Sequence, residues 1–203
     1  SLKRRVKRGG YSVHINRDFA GVVEACADRE PTWINAELSV CYLSLHAQGF
    51  AHSVEIWDDA GLAGGVFGIT LGAAFFGESM VSRRTDGSKL ALAHLVQRLR
   101  VGGFTLFDTQ FVTEHLESLG AVEIPRADYR DALGDALERR MIGQPPDPER
   151  AGLVEPVFIN SPVRPSMWLG SVMGKPGAAG HKYDFGHVAV SAGGVGRGGA
   201  ARL

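Results

Sequence analysis

GGVFGITLGAAFFGESMVS at residues 64–82 and GGFTLFDTQ at residues 102–110 bracket the segment whose reading decides the fold. Residues 66–71 and 73–80 are rich in Val, Ile, Thr and Phe and are punctuated by Gly, which predicts two strands. Between Ser88 and Arg100, Leu92, Leu95, Val96 and Leu99 recur at helical spacing, so a helix follows. Residues 104–110 return as a third strand. Strand, crossover helix and strand imply a parallel pair with a ligand crevice at the strand ends. Glu78 on the first strand, with Asp108 and Gln110 on the second, brings acidic and amide groups to those ends.

Working outward towards the N-terminus, residues 11–15 read as a first strand. A helix capped by Asn16 or Asp18 then runs to about Asp28 with Phe19, Val22, Val23 and Cys26 on one face. Pro31 breaks it, and Trp33 lies in the connection. Asn35 caps a second helix carrying Leu38, Cys41, Tyr42 and Leu45, closed by Gly49. Residues 52–57 form a strand, and residues 58–61 a turn into the central strands. Beyond Gln110 the pattern predicts a short helix with His115 and Leu116. A last strand at 121–124 and a helix opened by Pro125 and reaching about Arg140 complete the domain.

The 203 residues are 44% hydrophobic and formally neutral. One core can be buried with a tail left over, and no whole-molecule field draws the chain to nucleic acid or membrane. The charge is uneven: Lys3, Arg4, Arg5, Lys7 and Arg8 crowd the start, as a solvated end or as a phosphate-contacting arm. Two isolated cysteines, Cys26 and Cys41, make neither a disulfide framework nor a zinc site, and this favours a reducing cytoplasm. Residues 60–77 lack charge and carry Gly64, Gly68 and Gly72 at GxxxG spacing. Six glycines and a terminal Glu78 argue against a membrane span. No secretory signal opens the chain, and its first residue, Ser, reads as the start of a fragment. From Met141, Pro145, Pro146, Pro148 and frequent glycine replace periodicity, so residues 141–203 read as a disordered tail attached to a catalytic domain at 1–140.

Several ordered blocks carry a resemblance. They are TWI at 32–34, YLSLHAQGFAHSVEIW at 42–57, the 64–82 block, FDTQ at 107–110, HLESLGA at 115–121 and IPR at 124–126. Together they are similar to the leucyl/phenylalanyl-tRNA–protein transferases over about residues 1–140. The β-α-α-β-β-β-α-β-α-β order likewise resembles the GCN5-related N-acetyltransferases, implying an α+β fold with a mixed sheet flanked by helices. The small domain that precedes the basic segment in the family is missing, and the tail matches nothing in it.

The resemblance implies transfer of leucine or phenylalanine from Leu-tRNA or Phe-tRNA to acceptor proteins with N-terminal Lys or Arg, marking them for degradation, without cofactor or metal. It implies Asp108 and Gln110 as the catalytic pair, with Glu78 in support. It further implies Val66, Phe75, Met80, Leu95, Leu99 and Phe107 around the amino-acid side chain, and Trp33 and Tyr42 at the terminal adenosine. Arg4 and Arg5 belong to the arm read above as a tRNA-phosphate contact. An aminoacyl ester is already activated, so orientation and one proton acceptor suffice. The Gln110 oxygen suits the attacking amine, and Asp108 is the expected proton destination.

Strand alternation groups Asp108 with Gln110 but sets Phe75 against Glu78 and Met80. A bulge at Gly77 would restore agreement. Phe107 beside Asp108 has no comparable device. Each apolar residue, read singly, is ordinary core, and His46, His52, His94 and His115 read as structural. Two other functions compete. An acyl-CoA N-acyltransferase would use residues 84–89, RTDGSK, as a pyrophosphate loop, although Lys89 occupies its last small-residue place. A non-catalytic RNA-binding module would use the basic arm and leave Glu78, Asp108 and Gln110 unexplained.

Overall fold

The computed structural model describes residues 2–139 and, as backbone, 185–190. The elements are α1 (Leu2–Arg8), β1 (Ser12–Ile15), α2 (Phe19–Ala27), α3 (Ala36–Ala47), β2 (Ala51–Asp58), β3 (Gly61–Leu71) and β4 (Ala74–Ser82). They continue as α4 (Gly87–Val101), β5 (Leu106–Asp108), α5 (Glu114–Glu117), β6 (Ala121–Pro125), α6 (Arg126–Glu138) and β7 (Phe185–Val190). The sheet is mixed and flanked by helices, in the order β1-β2-β3-β4-β5-β7-β6. All neighbours are antiparallel except β4 and β5, the expected parallel pair, which register Ala74 with Leu106 and Phe76 with Asp108.

Local chemistry sets the boundaries. Of the two possible caps for α2, Asp18 is the one used, its Oδ1 accepting from Gly21 N–H at 2.9 Å. Asn35 caps α3 by accepting from Leu38 N–H at 2.9 Å. Glu55, wholly buried on β2, ties the start of α2 to the sheet. Its Oε1 accepts from Asp18 N–H and Ser53 Oγ, and its Oε2 from Trp57 Nε1. A buried carboxylate with three donors is satisfied, and it fixes where α2 begins.

Two apolar layers cover the sheet. Val54, Ile56, Val66 and Phe75 pack with Leu95, Leu99 and Val6 on the face that carries α4. Phe67 and Leu62 pack with Phe19, Val22, Cys26 and Tyr42 from α2 and α3. A third cluster joins Leu106 and Ile124 to Tyr129 and Ala136 of α6. Burial of each such large side chain contributes about 1.5–3 kcal/mol. Three of the histidines sit in structural surroundings. His46 bonds the Ala51 carbonyl and stacks on Phe19, His52 bonds Asn16 and Gly49, and His94 is buried on α4 beside the Tyr11 ring.

The basic run, to which the sequence assigned no element, is α1, with Val6 inserted into the core. Two sequence expectations change here. The strand at 121–124 is not the last, because Phe185–Val190 adds β7 between β5 and β6. That segment departs from the reading of 141–203 as a disordered tail, and the remainder of that reading lies outside the described residues. The strand ending at Gln110 stops at Asp108 instead. No described helix is long and apolar enough to cross a membrane.

Gly64 and Gly87 bring β3 against the start of α4. A Cβ on Gly64 would collide with the Gly87 backbone, and one on Gly87 with the Ala63 carbonyl. Gly64→Ala should therefore lower stability by about 1–3 kcal/mol. Gly134→Ala, in α6 with open space around the new methyl, should raise it by about 0.5–1 kcal/mol. Denaturation midpoints of the two variants check both signs.

Candidate active site

The site begins with a bulge. Phe67 pairs with Ser79 and Gly68 with Gly77, leaving Glu78 as the extra residue on β4. The expected bulge at Gly77 is therefore present, and its effect is the one required. Phe75 before it and Met80 after it both pack on the α4 face, whereas Ser79 faces α2, where its hydroxyl accepts from Arg29. Glu78, displaced from the ladder, accepts at Oε2 from the Tyr42 hydroxyl at 2.8 Å and from Gln110 Nε2 at 3.5 Å.

Asp108 closes β5 and is 3% exposed. Its Oδ2 accepts from the Tyr129 hydroxyl at 2.7 Å and its Oδ1 from Gln110 N–H at 2.7 Å. The second bond is an Asx turn, which holds Gln110 at φ 65°, a left-handed conformation uncommon for a residue with a side chain. Asp108 and Gln110 are thus neighbours through a turn and not by sharing a strand face. The Gln110 amide nitrogen also lies 3.4 Å from the Gly77 carbonyl. With acceptors on its nitrogen side, the amide keeps Oε1 as an acceptor for another group.

Phe107 needs no special device. It follows the alternation, packing edge-on to Phe75 at 5.5 Å on the α4 face while Asp108 turns to Tyr129 of α6. Val66, Phe75, Leu95, Leu99 and Phe107 are all buried in one cluster, and half-buried Met80 packs against it from its pairing with Val66. The structure therefore gathers the six apolar residues that the resemblance implies. Trp33 and Tyr42 are adjacent, ring centroids 6.4 Å apart, but unequal. Tyr42 is 6% exposed and packs edge-on to Phe67, while Trp33 is 45% exposed. Only Trp33 offers an open face for stacking.

The arm is unequal as well. Arg5 donates to the Gly9 carbonyl and lies over the Tyr11 ring, whereas Lys3, Arg4, Lys7 and Arg8 line the outer side of α1. The loop considered for a CoA pyrophosphate is occupied by its own structure. Arg83 and Arg84 N–H donate to the Ala63 carbonyl, Gly87 N–H to Arg84, and Ser88 N–H to the Ser82 hydroxyl. These amides are not left to cradle an anion. Asp58 also takes the Arg84 guanidinium at both oxygens.

Tyr129 is the residue that sequence reasoning missed, since it lies on a separate helix 21 positions from Asp108 with no motif linking them. Tyr42 is implied by the resemblance for its ring, yet its hydroxyl makes the bond to Glu78. Burial, reinforced by the carboxylate each one faces, pushes both phenols well above the ordinary tyrosine range. Both remain neutral donors at physiological pH. Among the described residues no three His, Cys, Asp or Glu side chains converge as a metal site.

The mixed sheet thus brings a carboxylate and an amide together at the ends of its parallel strand pair, beside an apolar cluster. Comparison with known proteins places the chain in a family. Residues 1–134 match the family described as leucyl/phenylalanyl-tRNA protein transferase, and the chain belongs to that family. Relatives of that name from Jannaschia sp. and Ruegeria pomeroyi are 77% and 67% identical over 138 and 137 residues, each match covering 68% of this chain and 65% of the relative. A Cereibacter sphaeroides relative is 59% identical over 157 residues, covering 76% of this chain and 73% of its own. The chain thus spans less than two thirds of the length of the first two. Among solved structures, the ribosomal-protein-S18-alanine N-acetyltransferase from Escherichia coli aligns at TM-score 0.44 and 12% identity, over 58% of this chain and 86% of that one.

The phenols yield a pH prediction. Their native values lie above the unfolded value of 10.0, so the stability they contribute is complete below pH 10 and is lost as pH rises further. Phenolate absorbance of the native chain should lag behind that of the denatured chain. Tyr42→Phe and Tyr129→Phe should each remove one late-titrating equivalent. An unaltered curve in either variant would remove that phenol from the network.

Proposed function

We propose that this chain transfers leucine or phenylalanine from aminoacyl-tRNA to the N-terminal Lys or Arg of acceptor proteins, in the cytoplasm, and so marks them for degradation. The observation that carries the reading is the meeting of Tyr42, Glu78 and Gln110 on one polar edge in a chain of this family. The acceptor's neutral α-amine attacks the ester carbonyl carbon. The C–N bond forms, the bond to the ribose oxygen breaks, and one amine proton ends on that oxygen.

Gln110 Oε1 suits the amine N–H and directs its lone pair to the carbonyl. Glu78, half-exposed and beside Gln110, is better placed than Asp108 to take the proton and to face a cationic acceptor. Both Asp108 oxygens are already engaged, so Asp108 positions Gln110 through the turn and is itself positioned by Tyr129. The apolar cluster around Phe75, Met80 and Phe107 receives the amino-acid side chain, and Trp33 stacks on the terminal adenosine. An amine with pKa about 8 is partly neutral at pH 7, which leaves orientation as the main task.

Labelled phenylalanine supplied on its tRNA should appear on a protein beginning with Arg. Gln110→Ala and Glu78→Gln should each lower transfer about a hundredfold without lowering the melting temperature, and Asp108→Asn should lower it while disturbing the turn. A parental chain that transfers nothing overturns the reading. Near-parental transfer by all three variants removes these residues from the mechanism.

The outward cations of α1 support a role in holding tRNA phosphates. Replacing Lys3, Arg4, Lys7 and Arg8 with Gln should weaken tRNA binding and flatten its log–log salt dependence by about 0.9 for each duplex phosphate no longer neutralised. Transfer from a minimal aminoacyl-adenosine, which has no stem phosphates, should be unchanged. Arg5, already bonded to Gly9, should matter less than Arg4. A parental salt slope in the fourfold variant would place the tRNA body elsewhere.

A further inference from the structure

Arg29 has no part in the reaction as derived above, yet it stands beside the reacting edge. It follows the end of α2, is exposed, and donates through Nη2 to the Ser79 hydroxyl at 3.2 Å. Ser79 is the residue after Glu78, so the guanidinium lies next to the bulge that places the carboxylate. Trp33 is linked to the same carboxylate through Tyr42, whose ring it meets edge-on and whose hydroxyl bonds Glu78. An exposed cation and an exposed indole are thus each one residue removed from Glu78, the cation through Ser79 and the indole through Tyr42.

Arg29 is also not spent on an acid. The ion pairs among the described residues are Arg84 with Asp58 and Lys89 with Asp86, and Asp28 and Glu30, its chain neighbours, make none with it. The Cys26 thiol beneath it is pushed up to about 11 by burial and stays neutral. A guanidinium carries five N–H donors in a planar fork, of which Ser79 takes one. The remainder match two oxygens of a phosphodiester in a bidentate contact.

We infer that Arg29 binds a phosphodiester of the donor's 3′ end, holding the terminal nucleoside between itself and Trp33. The inference rests on the reading of the chain as an aminoacyl-tRNA-dependent transferase. It assigns Arg29 a binding role separate from that of the α1 cations: it reads the first phosphate next to the reacting ester, while α1 meets the body of the tRNA. The contact fixes the adenosine, so its removal raises KM for a donor that carries this phosphate and does not alter one that lacks it.

Two donors test this. One is phenylalanyl-adenosine, with no phosphate, and the other is the phenylalanyl ester of the cytidylyl-adenosine dinucleotide, with one phosphodiester. With the dinucleotide, Arg29→Gln should raise KM about tenfold at unchanged kcat, the effect of removing one charge-assisted hydrogen-bonded pair. With the adenosine donor it should match the parent. Arg29→Lys, which keeps the charge and removes the fork, should fall between them. Melting temperatures of both variants should equal that of the parent, since Arg29 is exposed. Equal losses on the two donors, or no loss on either, would overturn the assignment while leaving the transferase reading intact. Failure of the parental chain on both donors would overturn the transferase reading, and the Arg29 assignment with it.

Discussion

The β4 bulge is the constraint on which the rest of the site depends. Without the extra residue, β4 would alternate uniformly and Met80 would face away from Phe75. With it, both pack on the α4 face, and Glu78 leaves the ladder altogether. Glycine makes the irregularity possible. A Cβ on Gly68 would collide with the Phe76 carbonyl and the Phe75 ring, and one on Gly77 would press on the Phe107 ring. The same two glycines let the aromatic pair approach and let the carboxylate turn out. One backbone defect therefore creates the apolar cluster and the polar edge together.

The two carboxylates of the site serve different ends because they stand in different surroundings. Asp108 is buried at the end of β5 and saturated by Tyr129 and the Gln110 amide, so its charge is spent inside the protein. It stabilises a left-handed residue that would otherwise cost about 1 kcal/mol or more. Glu78 is half-exposed and shares a single oxygen between Tyr42 and Gln110. Gln110 joins them, its backbone held by Asp108 and its amide by Glu78. The DxQ spacing is thus one of turn chemistry: the aspartate side chain reaches its own backbone two residues on.

Much of the fold was legible because its signals are local. The caps at Asp18 and Asn35, the amphipathic helix after Ser88, and the Gly-punctuated strands all act within a few residues of themselves. The bulge was legible from a conflict between alternation and the residues implied by resemblance. What escaped was non-local. Nothing in residues 126–138 marks Tyr129 as a partner of Asp108, since a single tyrosine on a helix face has no period. The strand at Phe185–Val190 is six residues long in a glycine-rich region and takes its place from pairing with β5 and β6. The basic run hid a helix because only two apolar residues, Leu2 and Val6, anchor it among five cations.

Among the described residues each carboxylate accepts from a phenol, and this choice has a chemical consequence. A Lys or Arg paired with Glu78 would neutralise it and compete with any basic group arriving from outside. A tyrosine hydroxyl donates a hydrogen bond, fixes the rotamer and leaves the negative charge in place. Burial keeps the phenol protonated, so the arrangement does not reverse near neutral pH. Arg29, an exposed cation on this edge, bonds the Ser79 hydroxyl and forms no ion pair with Glu78 among the described residues. The edge therefore presents separated charges, a carboxylate suited to an ammonium or guanidinium acceptor and a guanidinium suited to a phosphate. In the proposed transfer from an anionic donor to a cationic acceptor, that separation lets each substrate meet its counter-charge without the two protein charges cancelling first.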